Sequence, residues 1–157
     1  MGIIQQVKMA HTYSNLWLHL VFGTKDRLPL MAEPWRKRLH EYLGGIARGM
    51  GATALEINGV ADHIHLLVRI KPVQRIDYFL RDLKADSSGW VHRKGLSHLF
   101  SWQSGYAAFT VSESQIPAVR RYIANQEEHH RKQTFEGEFK ALLKAHNVEF
   151  DEKYLWE

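Results

Sequence analysis

The chain has 157 residues, 45% hydrophobic and 24% charged, with a formal net charge of +4, a profile that excludes disordered and fibrous classes and fits one globular domain. It contains no cysteine, which excludes a disulfide framework, thiolate metal ligation and a cysteine nucleophile, so any metal must be held by His, carboxylate, amide or water. No apolar run is long enough to cross a bilayer and the start MGIIQQVKMAHTYSN lacks a sustained signal-peptide core, so a cytoplasmic protein with no membrane partner is the expectation.

Tyr13 to Thr24, YSNLWLHLVFGT, is rich in aromatic and β-branched residues and predicts a first strand that stops at Gly23. Glu33 to Met50 carries apolar residues at Trp35, Leu39, Tyr42, Leu43, Ile46 and Met50, the spacing of an amphipathic helix, closed by Gly51. Ala52–Val60 and His63–Ile70 predict a hairpin turning near Gly59. Pro72 is placed at the opening of a second helix with Ile76, Phe79, Leu80 and Leu83 as its buried stripe, running to about Trp90. Tyr106–Val111 predicts a fourth strand, and one helix is expected from about Gln115 to Gln133, capped by Ser112 or Ser114. A last helix, Phe135–Ala145, precedes an extended tail.

The order βαββαβ followed by two helices predicts an α+β, ferredoxin-like fold: an antiparallel sheet with two helices on one face and the other face open to a ligand. The reading is of a single domain over residues 1–157, with a core of about 13–133 and a C-terminal helix and tail at 134–157.

Charge is distributed unevenly. Residues 1–126 hold 16 Lys+Arg against 9 Asp+Glu, whereas residues 127–157 hold 5 against 8. A basic body with 11% aromatics suits a polyanion such as nucleic acid, because cations displace counterions and aromatic faces stack on unpaired bases.

Within ADHIHLLV, His63 and His65 are two residues apart on a strand. Alternation puts Ile64, Leu66, Val68 and Ile70 on one face and His63, His65, Leu67 and Arg69 on the other. The two imidazoles are then roughly 6.5 to 7 Å apart along the chain, near enough to lean onto one metal ion or one phosphate. Downstream, Tyr122 and Gln126 are four apart and share a helix face. They read either as nucleophile and oxygen ligand or as an amphipathic core residue and a solvated one. Asp62 either orients a histidine from behind or faces solvent at the turn. Trp102 and Tyr106 either stack on bases or pack, His19 reads as a core-edge histidine, and His129 and His130 read as solvated.

The His63-Ile64-His65 triplet, the downstream Tyr122 and Gln126, and the phrases HLVFGTKDRLPL, NGVADHIHLLV and YIANQEEHH resemble the HUH single-tyrosine transposases of bacterial insertion sequences, the TnpA type with its REP-associated relatives. The similarity runs from about Tyr13 to Trp156. It implies a homodimer that binds single-stranded DNA, commonly through hairpins at element ends, and cleaves and rejoins it with Mg²⁺ or Mn²⁺. By the same resemblance Tyr122 is the nucleophile, and His63, His65 and Gln126 are the metal ligands. The tyrosine helix is implied to swing about the residues near Ser112 and Ser114, and nothing in the sequence fixes whether it acts in cis or in trans. Lys25, Arg27, Arg69, Arg120 and Arg121 are the candidate DNA contacts. Two other readings compete: a non-catalytic DNA-hairpin-binding protein derived from a transposase, and a metal-dependent hydrolase that uses the histidines without the tyrosine.

Overall fold

The computed structural model describes residues 11–157; residues 1–10, which the single-domain and leader readings both include, lie outside the described residues. Four strands, β1 (Leu16–Gly23), β2 (Thr53–Gly59), β3 (His63–Ile70) and β4 (Ala107–Val111), form one sheet. Their order is β2-β3-β1-β4 and every neighbouring pair is antiparallel. This is the expected ferredoxin-like α+β arrangement. The strands carrying the histidines and their neighbour, β3 and β1, are the central pair, so both are hydrogen-bonded on two sides.

Alternation along these strands divides the core in two. Leu18, Leu20 and Phe22 of β1 and Ile64, Leu66 and Val68 of β3 face α1 (Glu33–Gly49) and α2 (Ile76–Arg93), meeting Leu39, Leu43, Phe79, Leu80 and Leu83. Each such buried aliphatic contributes roughly 1.5–3 kcal/mol relative to exposure. Gly51 ends α1 with φ +88°, a left-handed conformation that costs glycine nothing. Pro72 lies in a turn four residues ahead of α2, in which Gln74 N–H donates to the Lys71 carbonyl at 3.0 Å, so it does not occupy the first helical turn.

The second face is covered by the chain itself, contrary to the expectation of an open surface. Ile116, Val119 and Ile123 of α3 (Ile116–Ala124) pack on Trp17, Leu55 and Leu67, and Phe135, Phe139 and Leu143 of α5 (Phe135–Ala145) pack on Val21, Ala107 and Phe109. The apolar residues Trp17, Val21 and Leu67 on that face demand such a cover. The single helix expected over 115–133 is two: α3 ends at Asn125, with φ −98° and ψ 22°, and α4 (Gln126–His130) sets off anew. Asn58, at the end of β2, donates its side-chain amide to the carbonyls of Ile123 and Ala124 at 3.0 and 3.1 Å, drawing off carbonyls that a continuing helix would have used. Among the described residues, no helix is long and apolar enough to cross a membrane.

Candidate active site

Strand alternation delivers His63 and His65 to the face beneath α3, α4 and α5, where both are fully buried. His63 sits opposite Gly23 and His65 opposite Val21 on β1. A Cβ on Gly23 would come within 3.0 Å of Phe135. That bare position leaves room for the Phe135 ring to stack on His63, with centroids 4.0 Å apart and planes 4° from parallel. The break after Ala124 turns Gln126 inward until it is fully buried, and brings His129 and His130 over the same spot.

At the centre stands a residue that the sequence did not single out. Glu138 of α5 is buried, and its Oε1 lies 2.8 Å from His65 Nε2, 3.2 Å from His63 Nε2 and 3.1 Å from His130 Nε2. Its Oε2 accepts a short hydrogen bond from the Tyr122 hydroxyl and a longer one, 3.3 Å, from Gln126 Nε2. Gln126 Oε1 in turn lies 3.2 Å from His63 Nε2. Thus Tyr122, His63, His65 and Gln126 are brought together, joined by one carboxylate. The ligand atoms of His63, His65, His130 and Glu138 all lie within 4.8 Å of one another.

Partners behind the rings set their orientation. His63 Nδ1 is 2.7 Å from Asp62 Oδ1, which can only accept, so that nitrogen carries the proton. His65 Nδ1 meets His19 Nε2 at 2.8 Å, which places His19 behind the site as a support.

The electrostatics follow from burial and these contacts. Burial pushes His65 down to about 4 against the opposing hydrogen bond to Glu138, and burial together with the nearby His65 pushes His19 down to about 3. For His63, burial is outweighed by the hydrogen bonds to Asp62 and Glu138, and its pKa is raised. Burial alone would raise Glu138, but the imidazoles of His130, His63 and His65 crowded against it overcome that and hold the carboxyl well below the usual range. Burial, and then the Glu138 hydrogen bond, push the Tyr122 phenol well above its usual value. In this arrangement the nucleophile candidate therefore keeps its proton.

The basic candidates are spread out. Lys25 and Arg27 lie in a short turn after β1, where the Arg27 guanidinium stands 4.2 Å from the ring centre of Trp156. Arg69 is exposed four residues beyond His65, roughly 13 Å along the strand. Arg120 pairs with Glu56 at 3.0 Å, and Arg121 is exposed. Trp102 is buried and donates to Ser87 Oγ at 2.9 Å, so it packs, whereas Tyr106 is exposed. Glu138 had one visible signal: in Phe135, Glu138, Phe139 and Leu142 it stands three residues after the first apolar position of a helical stripe. His130 had none beyond its proximity to Tyr122.

The site is thus a ferredoxin-like sheet with paired histidines on a central strand and a tyrosine-bearing helix laid across them. Residues 12–126 match the IS200-like transposase family, and the chain belongs to that family. It is 28% identical over 124 residues to the transposase of insertion sequence element IS200 from Salmonella typhimurium, which covers 75% of this chain and 81% of that one. It is 27% identical over 118 residues to the ISDra2 transposase TnpA of Deinococcus radiodurans, covering 71% and 84%. Among solved structures, a candidate transposase of Deinococcus radiodurans aligns with TM-score 0.60 at 26% identity, over 76% of this chain and 96% of the other. A REP-associated tyrosine transposase bound to a REP hairpin shares the fold, with TM-score 0.58 at 12% identity, over 80% and 74%.

Proposed function

We propose that this transposase cleaves and rejoins single-stranded DNA, with Tyr122 as the nucleophile and a divalent cation, Mg²⁺ or Mn²⁺, held by His63, His65 and Gln126. The observation that carries the reading is the convergence of the Tyr122 hydroxyl and the His63 and His65 Nε2 atoms on a single carboxylate. A phosphodiester carries the same kind of anionic oxygens, so the groups that gather around Glu138 are those that a scissile phosphate would need. Family membership supports strand transfer as the reaction, and the hairpin-bound relative supports hairpin DNA as the ligand.

The donor set fits a cation: imidazole nitrogens, an amide oxygen and a carboxylate converge on one buried point, with Asp62 and His19 behind the rings. When bound, the ion would polarise the phosphate and steady the leaving 3′ oxygen. The remaining work belongs to the chain. Tyr122 oxygen forms the bond to phosphorus as the bond to the 3′ oxygen breaks, the phenolic proton passes to solvent water, and the leaving oxygen takes a proton from water to end as a 3′ hydroxyl. Glu138 holds the phenol in place and protonated until substrate arrives, because its own acidity makes it a poor acceptor of that proton. The 5′ phosphotyrosine preserves the energy of the broken linkage, so a second 3′ hydroxyl can displace Tyr122 without ATP. Lys25, Arg27, Arg69, Arg120 and Arg121 are proposed to meet the DNA backbone, and two copies are proposed to act together.

The test incubates the protein with single-stranded DNA from the ends flanking its own gene, with Mn²⁺ or Mg²⁺, and looks for a covalent adduct on a denaturing gel. An adduct is expected from the native protein, none from Tyr122→Phe, and DNA binding retained in that variant. Binding by the native protein without any adduct would instead support a non-catalytic hairpin binder. Turnover that survives Tyr122→Phe would support a hydrolase.

A further inference from the structure

Counting protons around the site leads further than the ligand set above. His130 Nδ1 lies 2.8 Å from the Gln133 carbonyl, an atom that can only accept, so Nδ1 carries the hydrogen and the neutral ring presents a lone pair at Nε2. That nitrogen is buried, has no hydrogen-bond partner among the described residues, and points at Glu138 Oε1 from 3.1 Å on a side chain only 9% exposed. The same logic applies to His63: Nδ1–H donates to Asp62, and in the neutral ring the Nε2 lone pair faces Gln126 Oε1 and Glu138 Oε1, both acceptors, at 3.2 Å each. Two ring lone pairs, an amide oxygen and a carboxylate oxygen therefore face one another in a buried space. Such a set repels itself unless something positive, a proton on an imidazole or a bound cation in its place, lies among the atoms. Among the described residues no Lys or Arg pairs with Glu138; its ionic neighbours are His63, His65, His129 and His130.

The geometry points to a larger divalent-cation site than His63, His65 and Gln126: Glu138 Oε1 and His130 Nε2, both from the segment that follows the tyrosine helix, are ligands as well. This rests on the reading that the site holds a divalent cation. Bonds of roughly 2.1 Å to one ion place its ligand atoms about 3 to 4.2 Å apart, and the four donors of His63, His65, His130 and Glu138, within 4.8 Å of one another, need only small side-chain shifts to meet that range. Glu138 supplies the hard, anionic oxygen that two imidazoles and an amide lack. Its second oxygen binds the Tyr122 hydroxyl, so one carboxylate would link the cation to the nucleophile. Both added ligands lie beyond residues 12–126, the part of the chain that matches the family. Three imidazoles with one carboxylate favour Mn²⁺ over Mg²⁺, which prefers an all-oxygen shell.

The full chain is titrated with Mn²⁺ without DNA, free Mn²⁺ being followed by electron paramagnetic resonance, and thermal unfolding is recorded in EDTA and in Mn²⁺. Glu138→Gln and His130→Ala are each expected to weaken Mn²⁺ binding at least tenfold and to lose the Mn²⁺-induced rise in Tm. Glu136→Gln, on the exposed side of the same helix, should leave both unchanged. Cooperative melting in EDTA establishes that a variant is folded, and His130→Gln replaces any variant that is not. If the Glu138 and His130 variants bind Mn²⁺ as the native protein does while His63→Ala does not, this inference is overturned and the smaller site stands. If the native protein takes up no Mn²⁺ with or without a DNA hairpin, both readings fall.

Discussion

Asp62 never meets the proposed cation, yet it decides which nitrogen of His63 can. Its carboxylate holds Nδ1–H at 2.7 Å, so in the neutral ring that a cation would bind the Nε2 lone pair is the one directed inward. Removing such a partner from a metal-binding histidine typically weakens the metal by roughly 10- to 100-fold. Asp62→Ala is expected to lower Mn²⁺ affinity within that range, and Asp62→Asn, which keeps an acceptor oxygen, to lower it less; the same titration measures both. The histidine pair was legible in the sequence because alternation needs only a two-residue spacing, and Tyr122 with Gln126 because four residues close a helical turn. Glu138 was not legible in the same way. Its partners lie 8, 16, 73 and 75 positions away, at His130, Tyr122, His65 and His63, and no local periodicity encodes contacts across such gaps.

The tyrosine helix owes its end to a residue on another element. Asn58 holds the last carbonyls of α3, and without that hold α3 has no side-chain reason to stop at Ala124. Asn58→Ala leaves those carbonyls short of a donor and is expected to cost about 1 kcal/mol. Hydrogen exchange should then quicken over residues 116–130 while the amides of β1 and β3 stay slow, which mass spectrometry of peptide fragments would resolve. The break itself escaped the sequence reading because Ile116 to His130 contains neither a glycine nor an internal proline past the first turn. Helical periodicity carries straight through Asn125, and the competing donor comes from β2. By contrast α1 and α5 were found almost to the residue, since Gly51 closes one and Thr134, whose side chain accepts from Gly137 N–H at 3.2 Å, opens the other.

Across the whole molecule, burial of neutral imidazoles makes the fold sensitive to acid. Burial holds His40 at about 4, helped by the nearby Arg36 charge, while His65 is at about 4 and His19 at about 3. All three titrate near 6.5 once unfolded. Between pH 6.5 and about 4 the unfolded chain binds more protons, so stability is complete above pH 6.5 and falls as the pH drops through that window. Glu138, held low by its histidines, acts in the same direction below its unfolded value of about 4.5. His63, with a raised pKa, acts in the opposite one: its contribution is present at low pH and lost as the pH rises through its folded value. The urea midpoint of the metal-free protein is accordingly expected to fall from pH 7 to pH 4.5, and His40→Gln, remote from the metal cluster, to flatten that fall.

The fold order was written in the chain because each element of the βαββαβ unit signals itself locally. The cover over the second face was not, since it depends on where α3 and α5 come to rest. Between Val111, the last residue of β4, and Ile116, the first of α3, there are only four residues. The five steps from Val111 to Ile116 span at most about 18 Å when fully extended, and Tyr122 stands six residues, roughly 9 Å, along the helix that follows. The proposed nucleophile is therefore a weight on a leash of about 27 Å pinned at the edge of the sheet. Every phosphate it would attack under the proposed reaction, whether over its own histidines or over those of a second copy, lies within that radius plus the length of one tyrosine side chain.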